Sequence, residues 1–106
     1  MQYTLIVARM APEEAGRVAG VWSESDATEL PYLVGVKHRR LFQFQGLYFQ
    51  LIGSEERLGD RIEEVRGHHL FQDVNEKLKP HIAAYDPLTW RGPADAMAKE
   101  FYSWNA

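Results

Sequence analysis

The fold is decided by residues 33–52, which read LVGVKHRRLFQFQGLYFQLI. Two runs rich in large apolar residues, 33–44 and 47–52, flank the pair Gln45-Gly46. Runs of this kind around a two-residue loop that contains glycine predict a β-hairpin, because glycine readily adopts the positive φ angle that such loops need. We therefore predict two antiparallel strands here.

The loop length also fixes the pairing register of this hairpin. If Phe44 pairs with Leu47, then Leu41 lies opposite Gln50, and paired residues share a face of the sheet. One face then carries Val34, Val36, Phe42, Phe44, Leu47, Phe49 and Leu51, and we predict that helices cover it. The other face carries Arg39, Leu41, Gln43, Tyr48, Gln50 and Ile52. Since this second set mixes polar and apolar side chains, we expect it to form the wall of a cavity.

The residues before the hairpin predict a strand and a helix. Residues 2–9 alternate but are mostly apolar on both faces, which predicts a strand that is buried on both sides. Pro12 suits the first turn of a helix, and apolar residues then follow at helical spacing until about Ser25. Residues 26–31 are predicted to form a turn before the hairpin.

The residues after the hairpin predict two helices and a last strand. Ser54 is a suitable N-cap for the first of these helices. A second helix is predicted between Gly67 and Pro80. Residues 81–98 show no sustained period and are predicted to be a loop, whereas the aromatic run 100–104 is typical of a strand.

The resulting order βαββαβ predicts an α+β chain with the split arrangement of a ferredoxin-like fold and an antiparallel sheet. No linker or repeat divides the sequence, so residues 1–106 are expected to form a single domain. The face that carries Leu41, Tyr48 and Ile52 is too apolar to remain exposed, and we therefore predict a homodimer formed through the sheets.

Composition excludes several classes of protein. A hydrophobic content of 45% and a charged content of 25% are typical of a globular protein, and a net charge of −3 argues against a nucleic-acid partner. No membrane-spanning run or signal peptide is recognisable, so we expect a cytoplasmic protein without a membrane partner. The chain has no cysteine, which excludes disulfides, thiolate nucleophiles and cysteine-ligated metals. The neighbouring His68 and His69 fit no standard zinc spacing, and their side chains should diverge on a helix, so no metal is expected.

A carboxylate and a group of cations flank the stretch Thr28-Glu29-Leu30-Pro31. Asp26 precedes this stretch and Lys37-His38-Arg39-Arg40 follows it. Asp26 is either a general base or a cap for the turn. Arg39 lies in mid-strand on the cavity-like face, where it either binds a ligand or pairs with Asp26 or Glu29, because a buried charge needs a partner. The other cations of the run are interpreted as exposed rim residues.

Several blocks of sequence, in order along the chain, have the spacing of one known enzyme family. They are residues 26–31, Gly35-Val36, residues 39–42, Leu47-Tyr48, Leu51-Ile52, His68, residues 70–72 and 74–76, and residues 101–104. In these blocks the chain resembles the tetracenomycin-type aromatic polyketide cyclases, over nearly all of its length except residues 86–98. The resemblance implies a dimeric α/β-barrel type of ferredoxin-like assembly, a pocket between sheet and helices, and no cofactor.

The resemblance also implies site residues. The family's catalytic aspartate and arginine fall on Asp26 and Arg39. Two family histidines fall on Ser25 and Gln50, which do not titrate near neutral pH but can form hydrogen bonds. The expected substrate-binding residues are Ser25, Gln50, Tyr48 and His68, with capping of a helix as the alternative role of His68. The alternative role of Tyr48 is core packing, and the other aromatic residues are likewise interpreted mainly as core, namely Trp22, Phe101, Tyr102 and Trp104. One or two of these rings on the pocket side would suit stacking on a flat polycyclic substrate.

The function implied by the resemblance is closure of a late ring of an aromatic polyketide in antibiotic biosynthesis. The reaction would be an intramolecular aldol condensation followed by dehydration. The expected partners are a polycyclic substrate and components of a polyketide synthase. Two alternatives remain open: a cofactor-independent anthrone-type monooxygenase, which would consume dioxygen, and a polyketide-binding protein without catalytic activity.

Overall fold

The computed structural model describes all 106 residues and begins with strand β1, Gln2–Arg9. A 3₁₀ turn at Pro12–Glu14 leads into helix α1, Ala15–Asp26, as the proline predicted. The remaining elements are helix α2 (Leu30–Val34), strands β2 (Val36–Phe44) and β3 (Leu47–Ser54), helices α3 (Leu58–Val65) and α4 (His69–Leu78), strand β4 (Ala83–Ala84) and a 3₁₀ turn at Pro93–Ala96. The last two lie in residues 81–98, which were predicted to be a loop. No helix is both long and apolar enough to cross a membrane.

The four strands form one antiparallel sheet in the order β2-β3-β1-β4. The first strand therefore lies in the interior of the sheet, next to the third strand, and the hairpin extends the sheet on one side. This is the strand order of a split βαββαβ unit. The predicted α+β, ferredoxin-like fold is confirmed.

The hairpin has the predicted register. Phe44 pairs with Leu47, and Leu41 pairs with Gln50. The two loop residues Gln45 and Gly46 have φ angles of 48° and 79°. Positive φ at both central positions is the requirement of the hairpin turn whose twist matches that of the flanking strands.

The helices cover the face of the sheet opposite to the predicted one. Tyr48 and Ile52 are buried in the same core cluster as Val18 of α1 and Val74 of α4. The covered face is thus the one that carries Arg39, Leu41, Tyr48, Gln50 and Ile52, together with Ile6 and Ala8 of β1. The prediction was wrong because the register decides which residues share a face, but not on which face the helices pack.

The other face of the sheet has no helix on it. By strand pairing it carries Tyr3, Leu5, Val7, Phe42, Phe44, Leu47, Phe49 and Leu51, and we call these residues the open face. Phe42 is 53% exposed and Phe44 is 62% exposed. The expectation that β1 is buried on both sides is therefore wrong for this chain on its own, since Tyr3 is also mostly exposed. A homodimer through the face of Leu41, Tyr48 and Ile52 is excluded because the helices occupy that face.

Two local predictions around the helices were also wrong. Helix α2 begins inside the predicted turn, at Leu30, and takes up the first residues of the predicted strand. It is followed by the C-cap Gly35 with φ of 82°, so strand β2 starts only at Val36. The Thr28 hydroxyl accepts a hydrogen bond from the Leu30 N–H at 3.2 Å at the start of this helix. Ser54 is not an N-cap, because its hydroxyl donates to the Glu56 carbonyl and α3 begins beyond it.

The C-terminal aromatic run does not form a strand. Phe101 is 95% exposed, and no regular structure includes residues 98–106. The free edge of β1 is already occupied by Ala83 and Ala84, and further along by Met97. Since a strand needs a paired edge, the aromatic residues beyond this point have no partner strand in the chain.

Candidate active site

The carboxylate of Asp26 and the guanidinium of Arg39 meet on the covered face. Asp26 is the last residue of α1, and Arg39 lies in the middle of β2. Arg39 Nε donates to Asp26 Oδ2 at 2.9 Å, and Arg39 Nη2 donates to Asp26 Oδ1 at 2.9 Å. Two parallel bonds of this kind hold both groups in a fixed relative orientation. Of the two sequence-based alternatives for Asp26, capping of the turn is not observed.

Gln50 and Trp22 complete the surroundings of Arg39. The Arg39 Nη1 group donates to Gln50 Oε1, and the guanidinium carbon lies 3.9 Å from the centre of the Trp22 ring. The Arg39 side chain is 10% exposed, whereas that of Asp26 is 35% exposed. Burial of a charge is costly unless partners compensate for the lost water, and here a carboxylate, an amide and an aromatic face do so. Asp26 forms the accessible side of the cluster.

Tyr48 lies behind Trp22. The Trp22 indole N–H donates to the Tyr48 hydroxyl at 3.1 Å, and Tyr48 is only 3% exposed. Burial raises the pKa of Tyr48 from its ordinary 10.0 to about 12, although the hydrogen bond from Trp22 and the charge of Arg39 oppose this shift. The hydroxyl is therefore neutral throughout the physiological range.

Ser25 and His68 stand apart from these hydrogen bonds. Ser25 is half-buried beside Asp26, and its carbonyl accepts from the Thr28 hydroxyl at 2.6 Å and from the Thr28 N–H at 3.1 Å, whereas its own hydroxyl has no partner in the chain. His68 is the N-cap of α4, where its Nδ1 accepts from the Leu70 N–H at 3.1 Å. It has no hydrogen bond to Asp26, Arg39 or Gln50. The structure thus brings together Asp26, Arg39 and Gln50, with Tyr48 one residue further away.

The histidine rings are arranged differently from the expectation. His68 and His69 stack with ring centroids 4.6 Å apart instead of diverging, because His68 has the extended backbone of an N-cap residue. No group of three His, Asp or Glu side chains is close enough to hold a metal ion.

Comparison with known proteins decides the family. The model of the polyketide synthesis cyclase family matches residues 2–105. The chain is 41% identical over 102 residues to tetracenomycin F2 cyclase of Streptomyces glaucescens, a match that covers 96% of this chain and 93% of the relative. The chain belongs to the polyketide cyclase family.

Other similarities agree with membership of the polyketide cyclase family. The solved structure of the Streptomyces glaucescens cyclase superimposes with a TM-score of 0.93 at 40% identity, over 100% of this chain and 99% of that one. An uncharacterised protein of Streptomyces coelicolor is 54% identical over 98% of this chain and 95% of its own length. A Caulobacter crescentus protein assigned as an antibiotic biosynthesis monooxygenase shares only the fold, with a TM-score of 0.55 and 17% identity over 77% of this chain and 78% of that one.

Trp22, which sequence reasoning assigned mainly to the core, packs against the core cluster and also against the Arg39 guanidinium of the candidate site. The spacing of Trp22 and Asp26 was the available signal, because residues four apart on a helix lie on the same side. A helix that presents Asp26 to Arg39 therefore presents Trp22 to the same guanidinium.

A cleft of about 320 Å³ lies at a different place from the group of Asp26, Arg39 and Gln50. Its wall is formed by residues near the β4 end of the sheet, among them Arg9, Lys79 and His81. These side chains already have partners: Lys79 with Glu76, His81 with Glu14, and Arg9 with the ring and carbonyl of Tyr85. The cleft contains none of the residues around Arg39.

Proposed function

We propose that this protein closes a late ring of an aromatic polyketide by intramolecular aldol condensation followed by dehydration. The observation that carries the proposal is the pairing of an accessible carboxylate with a nearly buried guanidinium, Asp26 with Arg39, in a member of the polyketide cyclase family. Such a reaction needs a base for a proton α to a carbonyl and a fixed positive group for the oxyanion that results.

Asp26 is the proposed base. Its carboxylate accepts from Arg39 on one side, and the two oxygens of a carboxylate offer about four acceptor positions in total. The remaining positions and the exposed third of the side chain leave Asp26 able to reach a substrate C–H. It is also the only group that titrates among Asp26, Ser25 and Gln50, so the proton transfers of both steps are assigned to it.

Arg39 is the proposed stabiliser of the developing enolate and of the alkoxide. A guanidinium has five N–H donors. The bonds to Asp26 and Gln50 use three of these N–H groups and leave two free. A donor whose position is fixed before the reaction stabilises charge in the transition state without reorganisation. We therefore place the carbonyl oxygen of the substrate at the two free N–H groups of Arg39.

Ser25 and Gln50 are proposed to orient the substrate. The Ser25 hydroxyl has no hydrogen-bond partner within the protein and can bind a phenol or carbonyl oxygen. Gln50 is only 4% exposed, so we propose that it orients the substrate through its hydrogen bond to Arg39. Because an aromatic polyketide already contains both reacting groups, holding its chain in a reactive conformation can supply much of the rate. Positioning by the neutral side chains of Ser25 and Gln50 would then take the place of the two histidines that the family has at these positions.

The function is tested with tetracenomycin F2, for which one relative is named, as the probe substrate. We expect a product that has lost one molecule of water, measured by mass spectrometry, without uptake of oxygen at an oxygen electrode. Oxygen uptake with incorporation of an oxygen atom would establish the monooxygenase alternative. Saturable binding with unchanged substrate would establish a binding protein and contradict the proposal.

We further propose that the protein is a homodimer through the open face. Exposed Phe42 and Phe44 of β2 and Tyr3 of β1, with half-buried Phe49 of β3 between these strands, form an apolar surface of a kind that usually marks an interface. Sedimentation should give twice the chain mass of 12.2 kDa. Phe42→Asp should give the monomer, whereas Leu88→Asp, at a loop position that is 92% exposed, should not change the mass. A wild-type monomer at micromolar concentration would refute this proposal.

A further inference from the structure

Trp22 contacts both Arg39 and Tyr48, through different parts of its ring. Its π face lies 3.9 Å from the Arg39 guanidinium carbon, and its indole N–H donates to the Tyr48 hydroxyl at 3.1 Å. An indole N–H can only donate, so the Tyr48 oxygen must be the acceptor in this bond. The hydrogen bond fixes the rotation of the indole plane, and the plane in turn supports the guanidinium.

Tyr48 is well suited to hold Trp22. It belongs to β3 in the interior of the sheet, it pairs with Ala8 on one side and Gln43 on the other, and it is 3% exposed. A residue in this position has little freedom to move. Its raised pKa keeps the hydroxyl in one protonation state up to strongly alkaline conditions. The chain Tyr48–Trp22–Arg39 therefore runs from the rigid sheet to the reacting end of the site.

The Arg39 guanidinium has partners on three sides. Asp26 binds one edge, Gln50 binds Nη1, and Trp22 covers one face. The hydrogen bonds act in the plane of the guanidinium, whereas the Trp22 ring limits its displacement out of that plane. Without the ring, the two free N–H groups would point over a wider range of directions.

We propose that Trp22, fixed by its hydrogen bond to Tyr48, is a positioning residue that sets the direction of the free Arg39 N–H groups. This inference rests on the proposed function of Arg39 as the oxyanion donor. Trp22 and Tyr48 act through Arg39 and not by contact with the substrate. A fixed donor direction matters for kcat more than for KM, because the oxyanion exists only in the transition state.

The test uses Trp22→Phe, which keeps an aromatic face but loses the N–H, and Tyr48→Phe, which loses the acceptor. Each variant should lower kcat with tetracenomycin F2 by about fivefold and leave KM unchanged, which corresponds to one net hydrogen bond. The double variant should lose no more than either single one, since both remove the same bond. The matched controls are Trp90→Phe in the loop after β4 and Tyr32→Phe at an exposed position of α2, and both should retain the wild-type kcat.

A second measurement tests the positioning independently of turnover. The Arg39 Nε–H resonance in a ¹⁵N correlation spectrum should exchange slowly with solvent in the wild type. We expect faster exchange in Trp22→Phe and Tyr48→Phe, with thermal unfolding midpoints showing that both remain folded, and no change in the two controls. Wild-type exchange of Arg39 Nε–H in both site variants would overturn the proposal, even where kcat falls. If the wild type does not turn over tetracenomycin F2, the proposed function fails for this substrate while the exchange rates still decide the role of Trp22.

Discussion

The two faces of the sheet differ in a way that runs against the usual pattern. The face beneath the helices contains a charged and a polar side chain, Arg39 and Gln50, whereas the face without helices contains Phe42 and Phe44. Neighbouring residues of the same strand point to opposite faces, so one residue separates these two environments. The apolar content of a face therefore does not identify which side of this sheet the helices cover.

Each face contains a group whose environment requires a partner. On the covered side a nearly buried guanidinium depends on Asp26, because removal of one member of such a pair leaves an uncompensated charge. On the open side, large aromatic residues are in contact with solvent, which is unfavourable unless another surface covers them. The first requirement supports the proposed catalytic role of Asp26 and Arg39, and the second supports the proposed dimer interface.

The largest effect is expected from Asp26→Asn on the covered side. An asparagine keeps an oxygen acceptor for Arg39 but cannot remove a proton at neutral pH, so kcat with tetracenomycin F2 should fall by about 10²–10⁴-fold. The control is Glu29→Gln, which removes a carboxylate three residues away that forms no ion pair. Turnover of Asp26→Asn close to that of the wild type would show that the protein folds its substrate without a base.

The next effect contrasts two adjacent arginines on opposite faces. Arg39→Ala should lower kcat by about 10²-fold, because it removes the positive group from the oxyanion. Arg40 lies beside the open face, next to Tyr3 and Leu51, and Arg40→Ala should retain the wild-type kcat. Steady-state kinetics measure kcat of both variants, and thermal melts measure their unfolding midpoints.

A different pattern would assign Arg39 to structure alone. In that case Arg39→Ala would lower the melting temperature, while the folded fraction would turn over substrate at the wild-type rate. The Asp26–Arg39 pair would then be a stabilising ion pair, and the active site would have to lie elsewhere.

The hairpin could be predicted because its information is local. Gln45-Gly46 and the strand alternation fix the register, and with it the shared face of Arg39 and Gln50. The side on which the helices pack is not local information, since it depends on how α1 and α4 cross the sheet. The Phe-rich set was therefore assigned to the core, although Tyr48 and Ile52 occupy it.

Edge pairing was the second kind of information that the sequence did not reveal. Ala83 and Ala84 form the last strand although alanine has a low strand propensity, because they lie along the free edge of β1. The aromatic residues that follow have a high propensity but no free edge to pair with. Strand propensity indicates which segments can form a strand, but the segment that lies along the free edge of β1 is the one that does.

The candidate site was predicted in part. The sequence offered an ion pair with Asp26 as one role of Arg39, and this contact is present. Of the two roles offered for Tyr48, substrate contact and core packing, the structure shows core packing behind Trp22. Trp22 packs against the core as expected, and its additional contact with Arg39 was not predicted. Contacts between a helix and a distant strand depend on the packing angle, which one sequence does not specify.

A smaller effect is expected on stability at alkaline pH. The pKa of Tyr48 is about 12 in the folded protein and 10.0 for an ordinary tyrosine. Between these values the unfolded chain loses the proton that the folded chain retains, so this contribution to stability is complete below pH 10 and is lost as the pH rises toward 12. The loss attributable to Tyr48 should be on the order of 2 kcal/mol.

Urea unfolding at pH 8 and pH 11.5 measures this contribution. Tyr48→Phe should be less stable than the wild type at pH 8 but should lose less stability between the two pH values. Tyr32→Phe, at a position of α2 that is 82% exposed and lies outside the open face, should lose as much as the wild type. Equal losses in the wild type and Tyr48→Phe would mean that Tyr48 is not buried in solution.

The smallest effect is expected at His68, which marks the limit of the site on the covered side. His68 accepts a hydrogen bond from the Leu70 N–H at the start of α4, so His68→Ala should lower the free energy of unfolding by about 1 kcal/mol, as the loss of an N-cap does. His68→Asn should restore most of this stability, because asparagine is also a good N-cap, and the exposed His69→Ala is the control. Since His68 has no hydrogen bond to Asp26 or Arg39, all three variants should keep the wild-type kcat with tetracenomycin F2. A fall in kcat for His68→Asn without a fall in stability would place His68 in contact with the substrate, and the site would then extend from Arg39 to the N-terminus of α4.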